Sequence, residues 1–107
     1  MVKVVITGVS GLLGSTMARY LVAKGNYELV GIDNMIGGVE GNVPEAVEYI
    51  RGDIQDTSLM TELCEGADCV FHTAALPYEG LSVFSPACTV NSIVSGTVSV
   101  ASACLAN

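Results

Sequence analysis

The sequence predicts an α/β fold: a parallel sheet of four strands in the spatial order 3-2-1-4, with helices on both faces. Three observations carry this expectation. Short apolar runs alternate with helix-like stretches along the whole chain. The first run, Val2 to Ile6, is continuously apolar, as in strands buried on both faces of a parallel sheet. A glycine-punctuated junction, Thr7-Gly-Val-Ser-Gly-Leu-Leu-Gly14, then joins that run to a helix.

The elements follow in order. Val2 to Ile6 is the first strand, and Gly11 to Lys24 is the first helix, stopped by Gly25 and Asn26. Glu28 to Ile32 is the second strand. Met35 to Glu45 is rich in glycine and holds a proline, so it is a long loop with at most one helical turn. Val47 to Arg51 is a half-exposed third strand. Thr57 to Glu65 is a short helix capped by Asp56 or Thr57 and closed at Gly66. Cys69 to Thr73 is the fourth strand, and Ala74 to Phe84 is loop. Pro86 to Ala106 is too long and too free of breakers for one strand, and it is expected to be helical despite its small and β-branched residues.

Composition narrows the function classes. The 107 residues are half apolar and 14% charged, which suits one folded domain with a real core. Eleven acids against four bases give a net charge of −7, an argument against nucleic acid or an anionic membrane surface as a partner. No leader pattern is expected at Met1, and no apolar run approaches the length needed to span a bilayer, so the expected setting is cytoplasmic. Cys64, Cys69, Cys88 and Cys104 lack metal-like spacing and are expected to be reduced and mostly buried.

The junction at residues 7 to 14 is where chemistry is expected. Gly8 permits the tight turn out of the strand, Gly11 has no Cβ to block an approaching pyrophosphate, and Gly14 lets the helix lie close on the sheet. Unpaired amides at the helix start, aided by its dipole, would supply the attraction. Asp33 stands nineteen residues beyond Gly14, where a carboxylate would accept hydrogen bonds from the hydroxyls of an adenosine ribose, and Asn34 could add another. A carboxylate there repels a 2′-phosphate, and no Lys or Arg lies between Asp33 and Arg51, so NAD is favoured over NADP. The alternative is an ordinary glycine-rich loop with a solvated turn at Asp33 and Asn34.

Together, Thr7 to Gly14, Asp33-Asn34, Gly52-Asp53-Ile54, His72-Thr73-Ala74-Ala75, and Asn91 followed by Gly96-Thr97 give a chain that resembles the extended short-chain dehydrogenase/reductase family, particularly its nucleotide-sugar epimerase and dehydratase branch. The loop from Met35 to Val43, with Gly37-Gly38, leans toward the epimerases. The resemblance implies a Rossmann-like, truncated sheet binding NAD. It implies that the backbone at Leu12 and Leu13 joins the three glycines on the pyrophosphate. Asp53 would accept from the adenine amino group, with Ile54 beside the ring. Ala74 and Ala75 would be small because cofactor passes over them, and Asn91 would lie near the phosphates and nicotinamide. Open alternatives are a helix-preceding turn for Asp53, core packing for the alanines and a helix-start role for Asn91. His72 is expected to be a strand residue with a satisfied imidazole.

Two departures matter. Pro77 stands where relatives often carry a polar cofactor contact. The family's catalytic Tyr-x-x-x-Lys, with its upstream Ser or Thr, would fall on a later helix beyond Asn107, so the 107 residues are expected to be an incomplete NAD-binding domain without the catalytic and substrate regions. Tyr20-Leu-Val-Ala-Lys24 matches that pattern in letters, but it lies in the first helix, two to four turns from the pyrophosphate end. A nucleotide sugar is therefore expected as a partner only if the missing half is supplied. The first and second helices are expected to cover one face of the sheet and the C-terminal segment the other, and the unpaired edge of the fourth strand, or the C-terminal helix, is expected to drive homo-oligomer formation. A non-catalytic binding or assembly module, or a half-enzyme completed by a second chain, are the alternatives.

Overall fold

The computed structural model describes residues 1–35, 38–74 and 85–107. The chain runs β1 (Val2–Thr7), α1 (Leu12–Lys24), β2 (Tyr27–Asp33), a 3-10 turn (Glu40–Asn42), β3 (Glu48–Arg51), α2 (Thr57–Leu63), β4 (Cys69–His72), α3 (Pro86–Val90), a π-helical turn (Asn91–Ser95) and α4 (Gly96–Ala106). All four strands are parallel, in the order β3-β2-β1-β4, as the apolar runs predict. Boundaries differ from the expected ones by no more than two residues, the usual margin at fraying ends.

β1 is central, flanked by β2 and β4, and it is buried from Val4 onward because both its faces are covered. On one face Val4 and Ile6 of β1 and Leu29 of β2 pack with Val9 and with Ala18 and Leu21 of α1. These residues of α1 fall on one side of the helix together with Gly14, the spacing of an amphipathic stripe. On the opposite face Ile32 packs with Met60 and Cys64 of α2 and with Val100 and Ala103 of α4. Burying one such aliphatic side chain contributes about 1.5–3 kcal/mol. Gly31 of β2 leaves room for Val9, whose side chain would lie 2.6–2.7 Å from any Cβ there.

This layering corrects one expectation. The sequence reading placed the first two helices on the same face, whereas α2 shares its face with α4, opposite α1. Handedness is the reason: β1-α1-β2 steps outward in one direction, and β3 to β4 steps back past β2 and β1. Two right-handed crossovers running in opposite directions put their helices on opposite faces.

The caps follow the expected chemistry. Gly25, at φ +75, closes α1 and donates to the carbonyls of Leu21 and Val22, and Asn26 follows at φ +65. Asp56 caps α2 by accepting from the Leu59 amide at 3.1 Å.

The C-terminal segment is helical throughout its described length, but its middle turn is π-helical. Contrary to the sequence expectation, Pro86–Ala106 is by length and composition long and apolar enough to cross a membrane, and only a minority of it is buried. Interspersed serines and threonines hide this when one looks for an unbroken apolar run; the valines, alanines and cysteines between them carry the average. Its inward side packs on α2, while Val90, Ile93, Val94, Val98 and Leu105 remain exposed.

The thiols also depart from expectation. All four are free, but only Cys64 is buried, with Cys88 half-buried and Cys69 and Cys104 exposed. Burial, with Cys104 beside it, pushes the Cys64 thiol above its ordinary value.

Candidate functional site

A cleft of about 260 Å³ opens over the C-terminal ends of the strands. It lies where the chain's direction of travel across the sheet reverses, between β1 and β4, the position at which open α/β sheets bind ligands.

Its floor is the turn after β1. Gly8 sits at φ +69 and donates to the Ile32 carbonyl at 2.8 Å, tying the turn to β2. A side chain there would meet the backbone of Ala74 at 2.8 Å, so glycine is required by conformation and by space. Gly14 packs equally closely: a Cβ would collide with the Gly8 carbonyl and lie 2.9 Å from Thr73 Oγ1. Gly11 is different. It caps α1 with φ −77 and ψ 175, open to any residue, and its absent side chain leaves free cleft.

The amides of Leu12, Leu13 and Gly14 at the start of α1 have no backbone acceptor among the described residues, and the first turn carries no acid. Leu12 and Leu13 line the same cleft. Such an arrangement can receive an anion through its amides and the positive end of the helix dipole.

Asp33 ends β2 on the cleft wall and is 7% exposed. Its Oδ2 accepts from the Ser10 amide at 3.0 Å, and its Oδ1 accepts from the Met35 amide at 2.7 Å. The carboxylate is therefore held fast rather than solvated as in a simple turn. Asn34, Asp53, Ile54 and Ala74 also line the cleft. Asp53 caps a local turn by accepting from the Gln55 amide at 2.8 Å. Ala75, like Gly37 and Pro77, lies outside the described residues.

Asn91 is exposed and absent from the cleft lining, where Ser92 stands instead. The π-turn explains the change: its wider turn shifts the helix face relative to a regular α-helical phase. Sequence reasoning also missed Thr73, Gln55, Gly52 and Gly38. A Cβ at Gly38 would collide with Ser10 Oγ and lie 3.3 Å from Asp33 Oδ2, and the adjacent Val39 amide donates to the Ser10 carbonyl at 3.0 Å. The Gly-Gly pair after Asp33-Asn34 was a legible hint of that close approach. Nothing in the sequence marked Ser92.

His72 has both ring nitrogens partnered. Nε2 lies 2.9 Å from Thr97 Oγ1, whose hydroxyl donates to the Ile93 carbonyl, so Nε2–H is the donor in that pair. Nδ1 then accepts from Thr7 Oγ1 at 2.7 Å, while Thr7 Oγ1 accepts from the Ala74 amide at 3.1 Å. This chain fixes the neutral imidazole with its proton on Nε2, and burial lowers its pKa in the same sense. It stitches β4 to β1 and to the start of α4. Gly96, beside Thr97, lets the helix approach Ile54, whose Cδ1 would lie 2.5 Å from a Cβ.

Tyr20 and Lys24 do touch, with Nζ 3.4 Å from the phenol oxygen and 5.3 Å from the ring centre. They sit on the exposed surface about 14 and 20 Å down α1 from its tip and do not line the cleft.

Comparison with known proteins decides the family. Residues 4–107 match the family model described as the NAD dependent epimerase/dehydratase family. The chain belongs to that family. It is 36% identical over 101 residues to a UDP-glucose 4-epimerase of Streptomyces lividans, covering 92% of this chain and 30% of that protein. It is 35% identical over 104 residues to a dTDP-glucose 4,6-dehydratase of Streptomyces antibioticus, covering 89% and 31%. The solved structure of UDP-glucose 4-epimerase from Brucella ovis in complex with NAD superposes with a TM-score of 0.88 at 33% identity, over 97% of this chain and 32% of that one. The chain thus spans about a third of the length of these relatives, matching their N-terminal, Rossmann-fold region.

Proposed function

We propose that these 107 residues are the NAD-binding part of a nucleotide-sugar epimerase- or dehydratase-like protein. The observation that carries the reading is the meeting of two features on one cleft: the amides at the tip of α1, which have no backbone acceptor among the described residues, and the fastened carboxylate of Asp33. The first suits a pyrophosphate and the second a ribose diol. Gly8, Gly11 and Gly14, with Leu12 and Leu13, hold the pyrophosphate; Asp33 and Asn34 take the adenosine ribose; Asp53 and Ile54 receive adenine. The cofactor then passes over Ala74 toward the last helix. The Brucella ovis relative, solved with NAD, supports the choice of dinucleotide.

The acids among the described cleft residues, Asp33 and Asp53, are both assigned to the adenosine end of the cofactor, so the reading gives these residues cofactor binding and gives them no part in catalysis or nucleotide-sugar recognition. The test is a calorimetric titration with NAD. Saturable binding, weakened strongly by Asp33→Ala and abolished by Gly11→Val, supports the reading, while no saturable binding by the unaltered chain leaves the alternative of a non-catalytic assembly module.

Self-association belongs to the same proposal. β4 is an edge strand, and the exposed apolar residues of the last helix, Ile93, Val94 and Val98 among them, form a surface suited to a second copy.

A further inference from the structure

Met35 holds φ +73, a left-handed conformation that costs a side chain with a Cβ. Among the described residues the other non-glycine in this region is Asn26, whose short polar side chain tolerates it. Met35 has no such excuse, and its surroundings show what holds it. Its amide donates to Asp33 Oδ1 at 2.7 Å. Its thioether sulfur accepts from the Tyr49 hydroxyl of β3 at 2.7 Å and from Ser10 Oγ at 3.5 Å. The Ser10 amide in turn donates to Asp33 Oδ2 at 3.0 Å. Each oxygen of the buried carboxylate is thus fastened by one amide, and the two residues supplying those amides meet through the sulfur.

We propose that Met35 is a positioning residue for recognition of the adenosine ribose, acting through Asp33; the inference rests on the dinucleotide reading above. An ionised carboxylate offers about four acceptor positions. Among the described residues one on each oxygen is taken by an amide, which leaves one on each for the two hydroxyls of a ribose. The thioether is a weak acceptor, so its contribution is placement: it anchors the residue after Asp33-Asn34 to the glycine-rich turn and to β3, keeping the Met35 amide on Oδ1 and the carboxylate at a fixed angle.

The test pairs a change in the protein with a change in the ligand. NAD and 2′-deoxyadenosine-containing NAD are titrated against the unaltered chain, Met35→Leu and Tyr49→Phe, with thermal unfolding of each. Leu keeps the bulk and the amide but not the sulfur acceptor; Phe removes the hydroxyl donor from the other side of the same contact, so the inference survives a failure of either variant to fold. The unaltered chain is expected to bind the deoxy ligand about ten-fold or more less tightly, the loss of one charge-assisted hydrogen bond. In Met35→Leu that ratio should shrink to about three-fold, with NAD itself bound more weakly, and Tyr49→Phe should move the same way by less. A merely structural role would change unfolding and leave the ratio intact. Full discrimination by both variants overturns the role of Met35 alone. Absence of discrimination by the unaltered chain overturns Asp33 as the ribose acceptor as well, and absence of NAD binding overturns the proposed function itself.

Discussion

Gly11 and Gly14 differ by three positions, yet the structure assigns them separable roles, and alanine at each is the cleanest probe of the cleft. At Gly11 a Cβ would meet the Gly8 carbonyl oxygen at 3.3 Å, a contact relieved by a shift of a few tenths of an ångström, and the backbone suits alanine. The expected stability cost is the weaker helix cap, about 0.5–1 kcal/mol. For a domain of this size that lowers Tm by roughly 2–8 °C. The methyl group, however, would occupy part of the cleft that Gly11 lines, beside the helix amides to which the proposed reading assigns the pyrophosphate. Displacing the ligand from two charge-assisted hydrogen bonds, each worth about 1.5–3 kcal/mol, weakens binding on the order of 100-fold or more. At Gly14 the balance reverses. A Cβ would lie 2.8 Å from the Gly8 carbonyl carbon and 2.9 Å from Thr73 Oγ1, so the helix must retreat. Overpacking of about 1–3 kcal/mol outweighs a gain of about 1 kcal/mol in helix propensity. Gly14→Ala should therefore lose stability and NAD affinity together, and Gly11→Ala mainly affinity. Calorimetric titration and thermal unfolding read the two quantities. Unchanged NAD affinity in a folded Gly11→Ala would refute the placement of the ligand at this turn, and collapse of its Tm would refute the open geometry.

Three further outcomes are expected. Asp33→Ala should cost about 1–3 kcal/mol in stability besides weakening NAD binding, because it orphans the amides of Ser10 and Met35; urea unfolding compared with Asp33→Asn checks this. The neutral imidazole of His72 has a native pKa below the ordinary histidine value of about 6.5, so its contribution is complete above that value and is lost as pH falls through it toward the native pKa. Stability measured from pH 7.5 to 5 should fall less in His72→Gln than in the unaltered chain. Light scattering coupled to size exclusion should find a dimer or larger at tens of micromolar, shifted toward monomer by Val94→Lys with Val98→Lys; a stable monomer in the unaltered chain would count against association.

The parts of the site legible in the sequence are those whose signal is an absent side chain or a single charge. Gly8 and Gly14 announce themselves because backbone lies where a Cβ would be, and a glycine is the only residue type that records such contact. Asp33 is legible because a carboxylate closing an apolar strand is costly without a partner. The strands were legible for the same reason as their burial: β1 and β2 are covered on both faces, and continuous apolar runs follow. The face taken by α2 was misread although the predicted strand order implies it, because the reading followed sequence adjacency and neglected the direction of the crossover.

What stayed hidden depends on helix phase and on pairs formed across the fold. Asn91 and Ser92 are both plausible polar contacts in one dimension, and only the π-turn decides which of them faces the cleft. No composition marks such a turn: Asn91–Ser95 reads like ordinary helix. Likewise the sequence assigns Ser10 no role between its glycines, yet its amide, its carbonyl and its hydroxyl engage three different residues, Asp33, Val39 and Met35. A position between the glycines is thus where chain-specific tuning is expected, since Gly8 and Gly14 have no room for a side chain. The backbone seat would be common to any chain with this turn, whereas on the proposed reading the angle at which Asp33 meets a ribose would follow from Ser10, Met35 and Tyr49 and could change without disturbing the seat.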